Sequence, residues 1–215
     1  NMFISDRLNH QIRKVSASGE LTTIAGTGES AHYGDGGPAS EAAFRDPSSL
    51  ATDKEGNLYI ADGANNMIRK IDTKGIVTTI AGNGNHENSG DGGPALKAGI
   101  RNMDYLAVSP SGELHIVGMN SYKIRKITKD GKIETVAGTG YQGYFGDGGP
   151  ATKAMFKSPA AIAFDSKGNL YISDMGNNLI RKVDTNGIIS AFAGTGNFGW
   201  AQDGETVEIY LQNFP

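Results

Sequence analysis

The sequence repeats itself every 56 residues, and this period constrains the fold more than any other feature. Ile-Arg-Lys begins at Ile12, Ile68, Ile124 and Ile180. Ala-Gly-x-Gly begins at Ala25, Ala81, Ala137 and Ala193. Asp-Gly-Gly-Pro-Ala begins at Asp35, Asp91 and Asp147, and the fourth copy keeps only Asp203 and Gly204. A fixed period of this length, without insertions, predicts an array built from one supersecondary unit.

Each unit contains four short apolar segments. In the second unit they cover residues 48–53, 57–62, 67–72 and 76–81. Gly and Asn residues that tolerate positive φ separate them, which is typical of tight turns. Four short antiparallel strands make one blade of a β-propeller. The sequence therefore predicts an all-β propeller with blades over 57–81, 113–137 and 169–193, each completed by the apolar strand before it.

A Gly-rich insertion follows the fourth strand of each unit. In the second unit it runs from Gly82 to Gly93 and leads into Pro94-Ala95-Leu96-Lys97-Ala98. Proline at the first helical position and alanines three residues apart predict one helical turn whose small face packs between blades. Blades usually need about 40–50 residues, so the insertion explains the longer period.

The repeat also divides the chain. We interpret residues 1–215 as a single propeller domain or fragment with units at 1–47, 48–103, 104–159 and 160–215. Asn1 aligns with Asn57, so the first unit lacks a first strand. We expect a segment of a larger ring. An uncovered blade face and strand edge favour contact with further blades or self-association.

Composition excludes several functional classes. The net charge is −3 and the basic residues form no run, so we expect no nucleic-acid partner. No stretch of 18 apolar residues is present, so we expect no membrane insertion. The absence of cysteine excludes disulfides, Cys-ligated zinc and thiol catalysis.

Two motifs resemble a known family. Gly-Asn-Leu-Tyr-Ile-Ala-Asp at 56–62 and Asn-Asn-Met-Ile-Arg-Lys-Ile-Asp at 65–72 resemble the NHL repeat. The Gly-Asp-Gly-Gly-Pro-Ala insertion is similar to that of bacterial extracytoplasmic NHL proteins and of teneurin-like surface proteins. The resemblance implies a propeller, commonly of about six blades, in a secreted, periplasmic or cell-surface protein of a bacterium. It implies a binding scaffold, although a minority of the family are enzymes, including lyases with a channel metal.

Charged residues that recur in every unit are interpreted as structural. Arginine recurs in the third strand, and aspartate ends the second strand in three of the four units. The residues are Arg13, Arg69, Arg125 and Arg181, with Asp6, Asp62 and Asp174. We expect an Asx-type turn in each hairpin and arginines that pack or pair between blades, and we do not expect a ring of ligands.

Neither candidate metal site is favoured. Asp35, Asp91 and Asp147 supply one carboxylate per loop, whereas Ca²⁺ binds roughly six to eight oxygens. An Asx turn is the simpler interpretation, and calcium stays the alternative. The histidines His10, His32, His86 and His115 lie at scattered positions of the unit, which does not favour an axial metal. We expect no cofactor, and no nucleophile elbow or phosphate-binding loop indicates a catalytic residue.

The insertion tips differ between units and are rich in aromatic residues. The candidate ligand-binding residues are Tyr141, Tyr144, Phe145, Trp200, His32 and Tyr33. Exposed loop aromatics are common in recognition sites. The alternative is that the rings fold back onto their own Gly-rich loop and form a small core there. The sequence favours a non-enzymatic scaffold that binds a protein or carbohydrate. A channel lyase or hydrolase, or a purely structural module, are the alternatives.

Overall fold

The chain folds into four consecutive antiparallel sheets, one for each repeat unit. This is a computed structural model, and it describes residues 1–198. Blade 1 has three strands and blades 2, 3 and 4 have four each, always paired in sequence order. The predicted all-β propeller architecture is therefore confirmed, and within residues 1–198 no first strand pairs with blade 1.

The strands follow the predicted segments closely. Blade 1 contains β1 (Met2–Asp6), β2 (Gln11–Val15) and β3 (Leu21–Ala25). Blade 2 contains β4 (Pro47–Thr52), β5 (Leu58–Asp62), β6 (Met67–Ile71) and β7 (Val77–Ala81). Blade 3 contains β8 (Tyr105–Val108), β9 (Leu114–Gly118), β10 (Lys123–Ile127) and β11 (Ile133–Ala137). Blade 4 contains β12 (Pro159–Phe164), β13 (Leu170–Asp174), β14 (Leu179–Val183) and β15 (Ile189–Ala193).

Helical structure in the described residues is limited to single 3₁₀ turns. They cover Arg7–Asn9, Ala39–Glu41, Gly63–Asn65, Ala95–Lys97, Ala151–Lys153 and Met175–Asn177. The predicted helical turn after each Asp-Gly-Gly-Pro is present. Pro94 lies just outside it, with an extended ψ of 128°. A segment this short adopts the tighter 3₁₀ form because i→i+3 bonds close in fewer residues.

The hairpin between second and third strands differs from the prediction. A 3₁₀ turn at Gly63–Asn65 ends at Asn66, whose φ is 52°. Asp62 does not cap this turn. Its carboxylate instead accepts the Arg45 N–H at 2.7 Å and the Asn65 side-chain amide at 2.9 Å. The Asx-type hairpin turn was therefore wrong, and Asp62 attaches the hairpin to the segment that enters the blade.

Apolar cores lie between the blades. We call the side of a blade toward the preceding blade its front face and the opposite side its rear face. Leu58, Ile60 and Val77 on the front face of blade 2 pack against Ile12 of blade 1 and against Phe44 of the intervening insertion. The same arrangement recurs between blades 2 and 3 and between blades 3 and 4. The predicted packing of the insertion between blades is confirmed.

Hydrogen bonds from serine side chains connect neighbouring blades. The Ser48 hydroxyl donates to the Met103 carbonyl at 2.9 Å, and the Leu106 N–H donates to Ser49 Oγ at 3.0 Å. The Ser5 hydroxyl donates to the Pro47 carbonyl at 2.6 Å. Each bond joins a serine hydroxyl to a backbone group across blades. Because buried polar groups need a partner, these bonds stabilise the relative position of the two blades.

The first glycine of each insertion is required by its surroundings. Gly82 has a φ of +96°, and a Cβ there would contact the Asn66 carbonyl and lie 2.8 Å from Met67 Cα. Gly75 has a φ of +81° and open space around it. We expect Gly82→Ala to lower the free energy of unfolding by at least about 3 kcal/mol, and the control Gly75→Ala by about 1 kcal/mol. Denaturant titration measures both, and equal losses would contradict the predicted close contact.

Candidate functional site

An arginine of the next blade holds each insertion in place. Insertions 1, 2 and 3 are residues 26–46, 82–104 and 138–158. In insertion 1, the Asp35 carboxylate accepts hydrogen bonds from Arg69 Nε at 3.0 Å and Nη2 at 2.7 Å. Arg69 also donates to the carbonyls of Tyr33 at 3.2 Å and Ala43 at 3.3 Å. One guanidinium thus binds both sides of the insertion, and we call this arrangement the arginine latch.

The latch recurs in the other two insertions. Arg125 Nε donates to Asp91 at 2.8 Å, and the guanidinium also donates to Ser89 and Gly99 carbonyls at 2.6 and 2.8 Å. Arg181 makes the equivalent bonds to Asp147, Phe145 and Met155. The prediction that the arginines pair between blades is confirmed for Arg69, Arg125 and Arg181, whereas Arg13 pairs with Asp6 of its own blade. Charge-assisted, multidentate bonds of this kind are among the stronger ones in proteins.

Two carboxylates of different character flank the buried guanidinium groups of Arg69 and Arg181, whereas Arg125 of blade 3 has only its insertion aspartate among residues 1–198. Arg69 Nη1 lies 3.5 Å from the buried Asp62, and burial raises the pKa of Asp62 despite the nearby positive charge. Burial would also raise the pKa of Asp91, but the Thr135 hydroxyl and the Arg125 charge outweigh it and the pKa lies below its usual value. Asp91 is therefore ionised and bound to Arg125 at neutral pH.

The latch corrects the local interpretation of the Asp-Gly-Gly-Pro motif. Asp35, Asp91 and Asp147 do not form the proposed Asx turns, because their carboxylates bond arginines 34 residues later in the chain. No group of three or more His, Asp or Glu side chains in residues 1–198 is arranged to hold a metal ion.

The candidate aromatic residues divide into exposed and packed rings. Tyr141 and Phe145 are 72% and 64% exposed. Tyr144 is partly buried, its hydroxyl donates to Asp147 at 2.7 Å, and its ring lies 5.2 Å from the Arg181 guanidinium carbon. Burial, with Asp147 nearby, raises the pKa of Tyr144 to about 12. Tyr144 therefore supports the latch, while its neighbours face outward.

The remaining candidates lie in insertion 1 and beyond the described residues. His32 and Tyr33 are exposed, and the Tyr33 hydroxyl donates to Glu29 at 2.7 Å. Trp200 lies outside the described residues. Phe198, which the sequence analysis did not select, is almost fully exposed.

The three first strands in residues 1–198 contain no histidine and no charged side chain. β4, β8 and β12 read PSSLAT, YLAV and PAAIAF, so these three described strands contain no Asp, Glu, His, Lys or Arg. The cluster of unlike polar residues that a channel enzyme requires is not formed by these strands.

A cleft between blades 3 and 4 was missed by the sequence analysis. It encloses about 470 Å³ and is lined by Glu113, His115 and Lys126 of blade 3 and by Phe164 of blade 4. Lys126 Nζ lies 3.0 Å from the Glu113 carboxylate, and the His115 and Phe164 rings meet edge to face at 4.7 Å.

A signal for this cleft is present in the repeat. His115 stands where blades 2 and 4 have Tyr59 and Tyr171. Those tyrosine hydroxyls bond Asp53 and Asp165 at 2.9 and 3.3 Å. Blade 3 has lost this tyrosine–aspartate bond, and comparing the units position by position would have revealed it.

We expect loss of a latch arginine to lower the free energy of unfolding strongly. Arg181→Met removes the guanidinium donors of two carbonyls and of the Asp147 carboxylate, so we expect the free energy of unfolding to fall by about 3–5 kcal/mol. Arg13 is the matched control, because its recorded side-chain partner is Asp6 of the same blade at 3.4 Å. Arg13→Met is expected to cost less than about 1 kcal/mol. Denaturant titrations of dilute protein compare the two, and equal costs would contradict a special role for the latch.

Stability should depend on pH through His115. Burial lowers its pKa from 6.5 to about 4. The unfolded chain therefore takes up this proton first as the pH falls, and stability present above about pH 6.5 is lost progressively toward pH 4. The loss reaches about 3 kcal/mol. His115→Tyr, which restores the residue of blades 2 and 4, should remove this component from denaturation measured at pH 7 and 4.5. His86→Tyr, at an exposed tip position, is the control, and an unchanged slope in His115→Tyr would refute the assignment.

No helix in residues 1–198 is long and apolar enough to cross a membrane.

Several solved structures superpose on this chain. An auxiliary nutrient binding protein from Bacteroides ovatus superposes with a TM-score of 0.61 at 16% identity, covering 90% of this chain and 43% of that one. A catalytically inactive virginiamycin B lyase from Staphylococcus aureus, solved with quinupristin, superposes with a TM-score of 0.54 at 20% identity, covering 88% and 50%. At these identities the similarity shows the fold alone.

Sequence comparison is more specific. Teneurin-m of Drosophila melanogaster is 32% identical over 222 residues, covering 90% of this chain. The chain spans 8% of that protein and 10% of human Teneurin-1. These relatives are animal proteins, so the expected bacterial source is not supported. The model of the Teneurin NHL domain matches residues 27–89 and 139–204, which is more than half of the chain. The chain therefore belongs to the Teneurin NHL domain family.

Proposed function

We propose that this chain is a non-enzymatic binding module that recognises a protein or glycan partner through the tips of its insertions. We place it outside the cell or at the cell surface. The observation that carries the proposal is the contrast between a fixed anchor and a variable tip. The latch aspartate and its arginine are the same in insertions 1, 2 and 3, whereas the tips differ in every unit.

The geometry of insertion 3 supports recognition. Arg181 binds the carbonyl of Phe145 at 3.0 Å, which fixes the backbone of the tip. The side chains of Tyr141 and Phe145 nevertheless face solvent. An exposed aromatic ring on a restrained backbone loses little conformational entropy on binding, and such rings often dominate interface energetics.

Enzymatic activity is the competing proposal, and the cleft with His115 and Glu113 is the observation that favours it. Its lowered pKa keeps His115 neutral at physiological pH, as a general base requires. Yet its Nδ1 faces the Glu113 carbonyl at 3.1 Å and its ring packs on Phe164. These contacts support a core position. A purely structural role in a larger assembly would instead need no exposed aromatic tip.

Substitution of the exposed rings tests the proposal. A fluorescently labelled chain is added to intact animal cells, and bound fluorescence is measured against concentration. Tyr141→Ser and Phe145→Ser should weaken binding by at least about tenfold if they are interface hot spots. Their effect on unfolding should stay within about 0.5 kcal/mol because both rings are exposed. Leu8→Ser is the control, since Leu8 is exposed but lies outside the insertions.

The same assay distinguishes the partner classes. Loss of binding after surface proteolysis of the cells indicates a protein, and loss after glycosidase treatment indicates a glycan. Binding that survives both substitutions would defeat the assignment to insertion 3. Turnover of quinupristin, the compound present in the virginiamycin B lyase structure, that disappears in His115→Tyr would favour the enzyme.

A further inference from the structure

Blades 2 and 4 share a cluster of three polar side chains. In blade 2 the Asp53 carboxylate accepts hydrogen bonds from the Asn57 side-chain amide at 2.6 Å and from the Tyr59 hydroxyl at 2.9 Å. In blade 4 the Asp165 carboxylate accepts the equivalent bonds from an asparagine and a tyrosine at 2.7 and 3.3 Å. Each cluster therefore ties the tyrosine to the turn between the first and second strands.

Blade 3 has different residues at all three positions, namely Ser109, Glu113 and His115. The Ser109 and Ser111 hydroxyls bond each other at 2.8 Å, and the Glu113 carboxylate accepts Lys126 Nζ at 3.0 Å. Within residues 1–198 neither the Ser109 nor the Glu113 side chain bonds the His115 ring. The cleft of about 470 Å³ between blades 3 and 4 lies at this altered cluster. Its volume is within the range of about 300–1,000 Å³ that is usual for small-molecule sites.

One nitrogen of the buried His115 ring lacks a hydrogen-bond partner. Nδ1 faces the Glu113 carbonyl at 3.1 Å. Because a carbonyl only accepts, Nδ1 carries the proton of the neutral ring and Nε2 is an acceptor. Nε2 has no hydrogen-bond partner among residues 1–198, although His115 is only 5% exposed and lines the cleft. Since buried polar atoms normally have a partner, the cleft suits a ligand that donates a hydrogen bond to this nitrogen.

The rest of the lining fits a neutral molecule that carries several hydroxyl groups. The charges of the cleft balance, because the carboxylates of Glu113 and Asp184 are matched by the ammonium groups of Lys126 and Lys167. A ligand with a net charge therefore gains little, whereas hydroxyl groups donate to carboxylates and accept from lysines. Phe164 is half-buried and adds an apolar ring surface, which is suited to the C–H groups of a sugar ring.

We propose that the cleft between blades 3 and 4 binds a neutral sugar ring. The apolar face of the sugar packs on Phe164, and one hydroxyl donates to His115 Nε2. Other hydroxyls bond the Glu113 carboxylate and Lys126 Nζ.

This site lies at the opposite end of the blades from the insertion tips. The cleft is lined by residues 109–111 and 166–168, which join the first and second strands of blades 3 and 4. Successive turns of an antiparallel sheet lie at alternate ends, and each insertion follows a fourth strand. The sugar site is therefore independent of the partner surface proposed for the tips.

Titration of the full 215-residue chain with methyl glycosides, followed by NMR of the histidine rings, tests the proposal. The neutral probes are the methyl glycosides of glucose, galactose, mannose and N-acetylglucosamine. At least one should bind saturably and shift the ring signals of His115, which are assigned by their loss in His115→Tyr. Methyl glucuronide carries a negative charge and methyl glucosaminide a positive charge, and each should bind more weakly than its neutral counterpart.

Substitutions locate the sugar in the cleft. His115→Tyr restores the residue of blades 2 and 4 and removes the Nε2 acceptor, so the Kd should rise by at least about tenfold. Lys126→Met should have a similar effect. Lys126 is only partly buried, so this variant keeps the test valid if His115→Tyr fails to fold. His86→Tyr at an exposed tip and Lys70→Met at the equivalent position of blade 2 are the matched controls, and both should bind like wild type.

The outcome is separable from that of the proposed function. Tyr141→Ser alters an insertion tip and should leave glycoside binding unchanged, whether or not it weakens binding to cells. Failure of every neutral glycoside to bind, tighter binding of the charged sugars, or unchanged binding by folded His115→Tyr and Lys126→Met would overturn the proposal.

Discussion

The arginine latch is the interaction on which the arrangement of blades depends. A guanidinium on the third strand of one blade binds the carboxylate and two carbonyls of the insertion from the blade before it. Because the guanidinium is buried, its partners must be present, and an uncompensated buried charge would be costly. The phenyl ring of Phe44 lies beneath Arg69, 5.3 Å from its guanidinium carbon, so polar and apolar packing are joined in one site. The latch therefore fixes how neighbouring blades meet and how the insertion leaves the surface.

Residues that recur in every unit anchor the insertion, whereas residues that vary between units lie at its tip. An arginine and an aspartate equivalent to Arg181 and Asp147 are present at each of the three described interfaces, where they satisfy the same buried polar groups. Tyr144 is recruited into that anchor through its hydroxyl bond to Asp147. Phe145, the next residue, contributes its carbonyl to the anchor but leaves its ring in solvent. A single tip thus combines a rigid backbone with side chains that are free to change between units.

Sequence reasoning predicted the architecture because the strand pattern and the glycine turns are local. Each strand of blade 2 lies within a residue or two of its predicted segment. Sequence reasoning misassigned Asp62 and Asp35, because it considered only backbone N–H groups close in the chain as hydrogen-bond partners. Their actual partners lie 17 and 34 residues away. Exposure of the tip rings also required coordinates, because Tyr144 and Phe145 are adjacent and similar. The cleft at His115 was within reach, since a histidine replaces the tyrosine of two sister blades.

The constant sequence separation across each latch has a consequence for how the chain folds. All three latches close a segment of 34 residues. The length-dependent entropy of closing such a loop is about 3 kcal/mol and is the same at every interface. No contact between distant ends is needed to form any of them, so topology alone does not impose the slow search expected of non-local β-proteins. Each completed blade supplies the arginine that binds the insertion before it, and it is followed by the insertion that binds the arginine of the next blade. Order can therefore spread along the chain by nearest-neighbour coupling, as in a linear array.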